Sequence, residues 1–207
     1  MTMPETKAPV DMWAVENTCL AQGIRPLCGC DEAGAGPLAG PVYAAAVILP
    51  EGLVIEGLTD SKKLTERRRE ALYEVICAEA VAWAVASVDE KEIDEINILN
   101  ARMKAMDLAI RALPVQPALA LIDGNRNKGI SCPNVTVVKG DSLSENIAAA
   151  SVLAKVSRDR YMREMALRYP QYHFEQHKGY GTSLHYAALR EFGPSPIHRL
   201  TFLKKMH

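Results

Sequence analysis

Apolar and polar positions alternate along this chain with two periods, and their order predicts a mixed α/β sheet. Ile24 to Asp31 and Leu38 to Leu49 read as strands, parted by the turn Gly34-Ala35-Gly36-Pro37. The second strand runs through Ala44, Ala45, Ala46, Val47 and Ile48 without a polar break, as expected where both faces are covered. Pro50 to Leu64 is expected as a loop, and Thr65 can cap a helix running to about Glu79. Val81 to Val88 alternates as a strand. Leu99, Met103, Met106, Ile110 and Leu113 fall at helical spacing over residues 98–113. Ala118 to Asp123 and Asn134 to Val138 are two more short strands. Ser142 to Arg168 reads as a long helix opened by the capping box Ser142-x-x-Glu145. Its stripe of Ile147, Ala150, Ser151 and Ala154 is small enough to pack close to a sheet. Residues 170–181 form a Tyr/His/Gly loop, residues 182–191 a helix, and a Pro-rich tail closes the chain. At the other end, residues 1–10 read as a loose tail and residues 11–22 as a short helix ending before Gly23. The sequence shows neither internal repeats nor low-complexity stretches.

The 207 residues suit one domain, or one domain with an appendage, divided as an N-terminal tail and short helix over 1–22 and a main unit over 23–207. The latter includes a helical C-terminal extension from about residue 170. With 48% hydrophobic and 24% charged residues, a core of ordinary size is expected and wholesale disorder is not. Net charge is −1, but it is unevenly spread: residues 1–123 carry 11 Lys/Arg against 19 Asp/Glu, and residues 124–207 carry 13 against 6. That asymmetry fits a polyanionic ligand, and equally an uneven sampling of surface charge. The five cysteines (Cys19, Cys28, Cys30, Cys77, Cys132) form neither a disulfide framework nor a zinc ribbon, so buried reduced thiols in a cytoplasmic protein are expected. The first residues lack the apolar stretch of a signal peptide, and no apolar run reaches the ~20 residues that would span a bilayer. Nothing in the pattern suggests a coiled coil, and a monomer is expected.

Three of the strands deliver acids at or near their ends: Asp31-Glu32, Asp123, and Asp141 just past 134–138. Gathered at one sheet edge, such carboxylates raise one another's pKa and call for a counter-charge. A hard divalent cation, Mg²⁺ or Mn²⁺, prefers oxygen ligands of this kind. An all-carboxylate cluster open to water and phosphate suits two-ion hydrolysis of a phosphodiester. Taken singly, Asp141 beside Ser142 reads more readily as part of a helix cap, and Asp123-Gly124-Asn125 as readily as a turn. The adjacent acids Asp31-Glu32 in a buried-looking strand are harder to explain that way.

The run Cys30-Asp31-Glu32-Ala33-Gly34-Ala35-Gly36-Pro37-Leu38-Ala39-Gly40-Pro41-Val42 resembles the signature of bacterial ribonuclease HII, the type 2 ribonuclease H. The likeness continues through Asp60-Ser61-Lys62-Lys63-Leu64, Ile122-Asp123-Gly124-Asn125 and Val138-Lys139-Gly140-Asp141. It extends through Ala148–Ser151 and Ala154–Asp159 to His177-Lys178-Gly179-Tyr180-Gly181-Thr182, so that six blocks in register cover about residues 25–190. The resemblance implies a ribonuclease H-like fold: a mixed five-stranded sheet flanked by helices. It implies that Asp31, Glu32, Asp123 and Asp141 match the metal-binding acids. It also implies cleavage of the RNA strand of RNA–DNA hybrids, and 5′ of single ribonucleotides in duplex DNA, leaving 3′-hydroxyl and 5′-phosphate ends. The turn Gly34-Ala35-Gly36 and Tyr180 would grip the ribonucleotide, since the 2′-hydroxyl is what separates RNA from DNA. Ser61, Lys62, Lys155, Arg158 and Lys178 are candidates for substrate and phosphate contacts. Arg160 and Arg163 read as a solvated helix face, Asp159 as the ion-pair partner of Lys155, and His177 as a structural hydrogen-bonder.

Two departures stand out. The family turn reads Gly-Arg-Gly, and here Ala35 takes the middle place. Two residues past Asp141, where the family carries Lys or Arg, this chain has Leu143. A charge-assisted hydrogen bond lost from a substrate site costs about 1.5–3 kcal/mol, roughly 10- to 150-fold in rate if made in the transition state. A catalytically weakened hybrid-binding protein is therefore the second reading. A nuclease without ribonucleotide selectivity is the third.

Overall fold

The structure, a computed structural model, describes residues 10–204. The expected tail over 1–10 lies, apart from Val10, outside the described residues. Five strands form one sheet: β1 (Leu27–Ala33), β2 (Val42–Ile48), β3 (Ala82–Val88), β4 (Leu119–Asp123) and β5 (Asn134–Val137), in the order β3-β2-β1-β4-β5. The β1–β2 and β2–β3 pairs are antiparallel, whereas β1, β4 and β5 run parallel. The C-terminal ends of those three parallel strands therefore share one edge of the sheet.

Two helical layers cover the sheet. α4 (Ile98–Arg111) packs Ala101, Ala105, Met106, Ala109 and Ile110 against Cys28, Cys30, Ala44 and Ala46. The opposite face meets α5 (Glu145–Arg168) and α2 (Glu66–Glu79), where Ala148, Ala149, Ala150 and Leu153 join Ala45, Val47, Leu72 and Ile76. Successive strand residues point to opposite faces, which is why β2 is apolar throughout. The small α5 stripe lets helix and strand come very close. A Cβ on Gly29 would lie 2.2 Å from the α5 backbone at Asn146 and Ile147, so no side chain fits there.

The N-terminal helix α1 (Ala14–Leu20) is tied to the start of α5. The buried Glu16 carboxylate accepts from Ser144 Oγ at 2.5 Å and from Asn146 Nδ2 at 3.0 Å. Among the cysteines, Cys28 and Cys30 are fully buried, while Cys19, Cys77 and Cys132 are half-buried, and all five are free thiols.

Several expectations shift. β1 starts at Leu27 and runs on to Ala33, so Asp31 and Glu32 lie within the strand. β2 begins at Val42 because the Leu38 and Gly40 amides donate to Gly179 and Ile197 in the C-terminal segment, and Pro41 has no N–H. The expected cap at Ser142 is replaced by Ser144, whose Oγ accepts from Ile147 N at 3.1 Å. Glu145, instead of closing a capping box, accepts from Ile55 N at 2.8 Å. Residues 140–142 form a separate 3₁₀ turn. An unexpected helix α3 (Glu90–Ile96), capped by Asp89, precedes α4. The loop over 170–181 contains a 3₁₀ turn at 170–172 and the short α6 (Phe174–His177). α7 (Ser183–Phe192) follows, and the Pro-rich close holds α8 (Leu200–Leu203).

Candidate active site

The shared edge of β1, β4 and β5 carries the predicted acids. Asp31 and Glu32 sit near the end of β1, Asp123 ends β4, and Asp141 lies on the 3₁₀ turn after β5. Strand parity separates the first two. Asp31 shares the α5 face with Gly29 and accepts from the Glu32 amide at 2.7 Å, whereas Glu32 shares the α4 face with Cys28 and Cys30 and meets Arg102. Asp123 Oδ1 accepts from the Gly140 amide at 2.8 Å, which fixes the turn bearing Asp141 against β4. Lys62 Nζ stands 4.0 Å from Asp141.

A cleft of about 290 Å³ runs from Asp123, Asp31 and Glu32 past Ser61, Lys62 and Lys155 to the turn 34–36 and Tyr180. A larger open groove beside Arg160 and Leu167 holds Glu164 and Glu175 but none of the strand-end acids.

Crowding shows in the electrostatics. Burial, then Glu32 and Asp123, push the Asp31 carboxyl well above its ordinary range. Asp123 and Asp141 are also raised, chiefly by burial; backbone amides at Asp141 and Gly140 oppose the rise in Asp123. The Lys62 ammonium is raised too. Burial lowers it, but Asp31, Asp141, Asp60 and Asp123 together outweigh that, so the negative field of the edge converges on this lysine. Among the described residues, no three His, Cys, Asp or Glu side chains are already arranged to hold an ion together. Glu32 explains part of this, because its Oε1 is engaged by Arg102 at 2.6 Å while its buried Oε2 has no partner.

The turn 34–36 is held from beneath by two buried arginines. Arg199 donates to the carbonyls of Gly34 at 2.7 Å, Ala35 at 3.1 Å and Gly40 at 2.6 Å. Arg158 donates to Ala39 at 3.0 Å, Pro41 at 3.1 Å and Lys178 at 3.0 Å. Its side chain fills the space beside Gly34, whose φ of +95° itself favours glycine. Arg158 is 1% exposed, so the expectation that it contacts phosphate is corrected: its donors are spent on backbone that shapes the turn. The Tyr180 loop is stitched to the same turn through Leu38 N donating to Gly179 O at 2.8 Å. Tyr180 itself is 46% exposed on the rim.

A chain of neutral histidines supports Tyr180 from behind. Ser195 N donates to His198 Nδ1 at 2.8 Å, leaving Nε2–H of His198 to donate to His185 Nε2 at 2.9 Å. His185 Nδ1–H then donates to the Tyr180 carbonyl at 2.9 Å. His177 has the structural role expected of it, bridging Tyr172 O and Gly179 N. Burial pushes His185 and His198 down to about 4.

Of the remaining predicted contacts, Ser61 is buried with its hydroxyl on Ser151 Oγ at 2.8 Å. Lys155 lines the cleft but pairs with Asp159 at 2.6 Å, as the i, i+4 spacing predicts. The Lys178 ammonium folds back on the Glu175 carbonyl. Lys62 is the most exposed of these cations. Arg160 and Arg163 pair with Glu66, Glu70 and Glu74 of α2 and do not stand free in solvent. Sequence reasoning missed Arg102 and Arg199, neither of which carries a local signal.

The chain matches the ribonuclease HII family over residues 28–206. It is 51% identical over 192 residues to the ribonuclease HII of Caldicellulosiruptor bescii, covering 93% of each chain. Identity to that of Citrifermentans bemidjiense is 54% over 196 residues, 95% of this chain and 85% of the relative. Among solved structures, the ribonuclease H2 of Pyrococcus horikoshii OT3 resembles it with a TM-score of 0.70 and 26% identity, over 84% of this chain and 92% of the other.

Proposed function

The chain belongs to the ribonuclease HII family, and on that premise we propose that it cuts the RNA strand of RNA–DNA hybrids and the 5′ side of single ribonucleotides in duplex DNA. The products carry 3′-hydroxyl and 5′-phosphate ends. Asp31, Glu32, Asp123 and Asp141 hold the divalent cations in this reading, two ions of Mg²⁺ or Mn²⁺. The donor set suits such ions: the carboxylates of Asp31, Glu32 and Asp123 line the cleft with no thiolate or imidazole, and Asp141 stands beside it on the turn that Asp123 holds. The unpartnered Glu32 Oε2 and the raised Asp31, Asp123 and Asp141 mark buried negative charge in want of a counter-charge. When bound, the cations supply Lewis-acid assistance to phosphodiester hydrolysis.

The protein's own groups select the substrate. The rigid turn 34–36 brings backbone polar groups to the ribose without intervening bulk. Tyr180 can donate its phenol to the 2′-oxygen while its ring packs on the sugar. Lys62, with Lys155 and Lys178 nearby, contacts phosphate and positions the duplex without reading sequence, while the buried Ser61 at the cleft wall holds the Lys62 turn against Ser151. We take residues 23–207 as one catalytic unit acting as a cytoplasmic monomer. Among the described residues, no helix is long and apolar enough to cross a membrane.

The observation that carries this reading is the meeting of acids from the parallel strand ends of β1 and β4 with the turn 34–36 and Tyr180 in one cleft, Asp141 being held next to Asp123. The test is incubation with Mg²⁺ or Mn²⁺ and a DNA duplex carrying one ribonucleotide, beside an all-DNA duplex. Cutting only 5′ of the ribonucleotide is expected. Cutting both duplexes, or binding without cutting, would refute the selectivity or the catalysis respectively.

A further inference from the structure

We propose that Arg102 is a tethered counter-ion for Glu32, one that the divalent cation must displace, so that this arginine sets the protein's metal affinity. The proposal rests on the reading that Glu32 is a metal ligand. Arg102 lies on α4, the layer that strand parity makes Glu32 face. Its Nη2 meets Glu32 Oε1 at 2.6 Å, with the two side chains 24% and 12% exposed, so solvent screens the pair little.

The pair is incomplete. A guanidinium can engage a carboxylate through two parallel hydrogen bonds. Here the Arg102 Nε and the Glu32 Oε2 are both buried without a hydrogen-bond partner. The single contact holds Glu32 on the α4 side, and it leaves unsatisfied atoms on both partners that a better arrangement would relieve. An oxygen-seeking cation offers Glu32 that arrangement, and binding it requires Glu32 to exchange one positive partner for another. The other three acids bear no such restraint. Asp123 accepts from backbone amides that stay in place, Asp141 faces an exposed lysine 4.0 Å away, and Asp31 accepts from the Glu32 amide.

Competition fixes the sign. Removing the guanidinium removes both a rival for Glu32 and a repelling charge beside the cation, so metal binds more tightly. Losing one close, little-screened rival charge corresponds to about ten-fold in Kd. In the metal-free protein the same change leaves a buried carboxylate without its counter-charge, which lowers Tm. The rise in Tm on adding metal therefore grows.

The experiment is Mn²⁺ titration, by calorimetry or electron paramagnetic resonance, of the substrate-free wild type, Arg102→Met and Glu32→Gln, with thermal melts of each in chelator and in saturating Mn²⁺. Arg102→Met should bind Mn²⁺ about ten-fold more tightly with an enlarged Mn²⁺-induced Tm shift, and Glu32→Gln more weakly than wild type. A Kd for Arg102→Met equal to or weaker than wild type, with equal Tm loss in both buffers, overturns the proposal and makes the arginine merely structural. Wild-type Mn²⁺ affinity in Glu32→Gln overturns the ligand reading itself. Should Arg102→Met fail to fold, Arg102→Gln, which is uncharged but can still donate to Glu32, must move Kd in the same direction. An unchanged Kd there overturns the proposal equally.

Discussion

Acidification should loosen the Tyr180 loop through the histidine chain, and the size of the effect follows from its hydrogen bonds. Each link between Ser195, His198, His185 and the Tyr180 carbonyl uses a neutral imidazole with one donor and one acceptor. A proton added to the pair sets two N–H groups head to head across 2.9 Å. Both rings are buried, and burial takes each pKa from 6.5 down to about 4. A folded-state pKa below the unfolded one means that the unfolded chain binds more protons in between. Stability is therefore complete above about 6.5 and falls as pH drops toward 4. The loss is about 1.4 kcal/mol per histidine for each pH unit below 6.5, so one histidine costs about 1.4 kcal/mol by pH 5.5. Buried acids oppose this trend. Asp31, Glu90, Asp123, Asp141 and Glu145 are raised by burial and gain stability on acidification, so the wild-type curve alone mixes two signs. Comparison with His198→Asn isolates the histidine, because the asparagine can accept from Ser195 but cannot titrate. Urea unfolding of both proteins between about pH 7.5 and pH 5.5 should show the gap in their ΔG shrinking by about 1.4 kcal/mol. A gap that stays constant with pH would refute the neutral chain.

Gly29→Ala sets a methyl 2.2 Å from the α5 backbone and should cost at least ~1–3 kcal/mol, seen as a lower Tm; a wild-type melt would mean that α5 does not press on β1 there. Tyr180→Phe keeps the ring on an exposed rim, so Tm should hold while kcat/KM on a single-ribonucleotide duplex falls roughly ten-fold or more; no loss would remove the phenol from 2′-hydroxyl recognition. Ala35→Arg restores a cation on a turn whose carbonyls Arg199 already fixes, and should raise kcat/KM by roughly ten-fold; an unchanged value would show that the cation is compensated elsewhere.

The strands and the pair Asp31-Glu32 were legible because their signals are local, whereas Asp123 and Asp141, each open to a turn or cap reading, stood out only through the family resemblance. Alternation marks β3, an unbroken apolar run marks β2, and two adjacent acids in a buried strand resist a bland explanation. Other features depend on contacts distant in sequence. Ser142-x-x-Glu145 has the spacing of a capping box, yet Ser144 caps α5 because Glu16 binds its hydroxyl from 128 residues away. Arg158 and Arg199 look like surface cations, and only closure of the C-terminal segment over the 34–41 loop buries them among carbonyls. Arg102 sits between two buried apolar residues, Ala101 and Met103, so helical periodicity alone does not aim it at Glu32. The short α3 carries few apolar residues, although Asp89, whose side chain accepts from Glu92 N at 2.9 Å, marks its start.

Asp123→Asn bears most directly on the proposed hydrolytic centre. The asparagine keeps an oxygen to accept from Gly140 N, so the β4 edge and the turn bearing Asp141 stay in place while one anionic donor is lost. Single-turnover cleavage of a duplex with one ribonucleotide, in saturating Mg²⁺, should fall by at least about a thousand-fold with circular dichroism unchanged. Cleavage at the wild-type rate would contradict the assignment of these carboxylates as the centre of the chemistry.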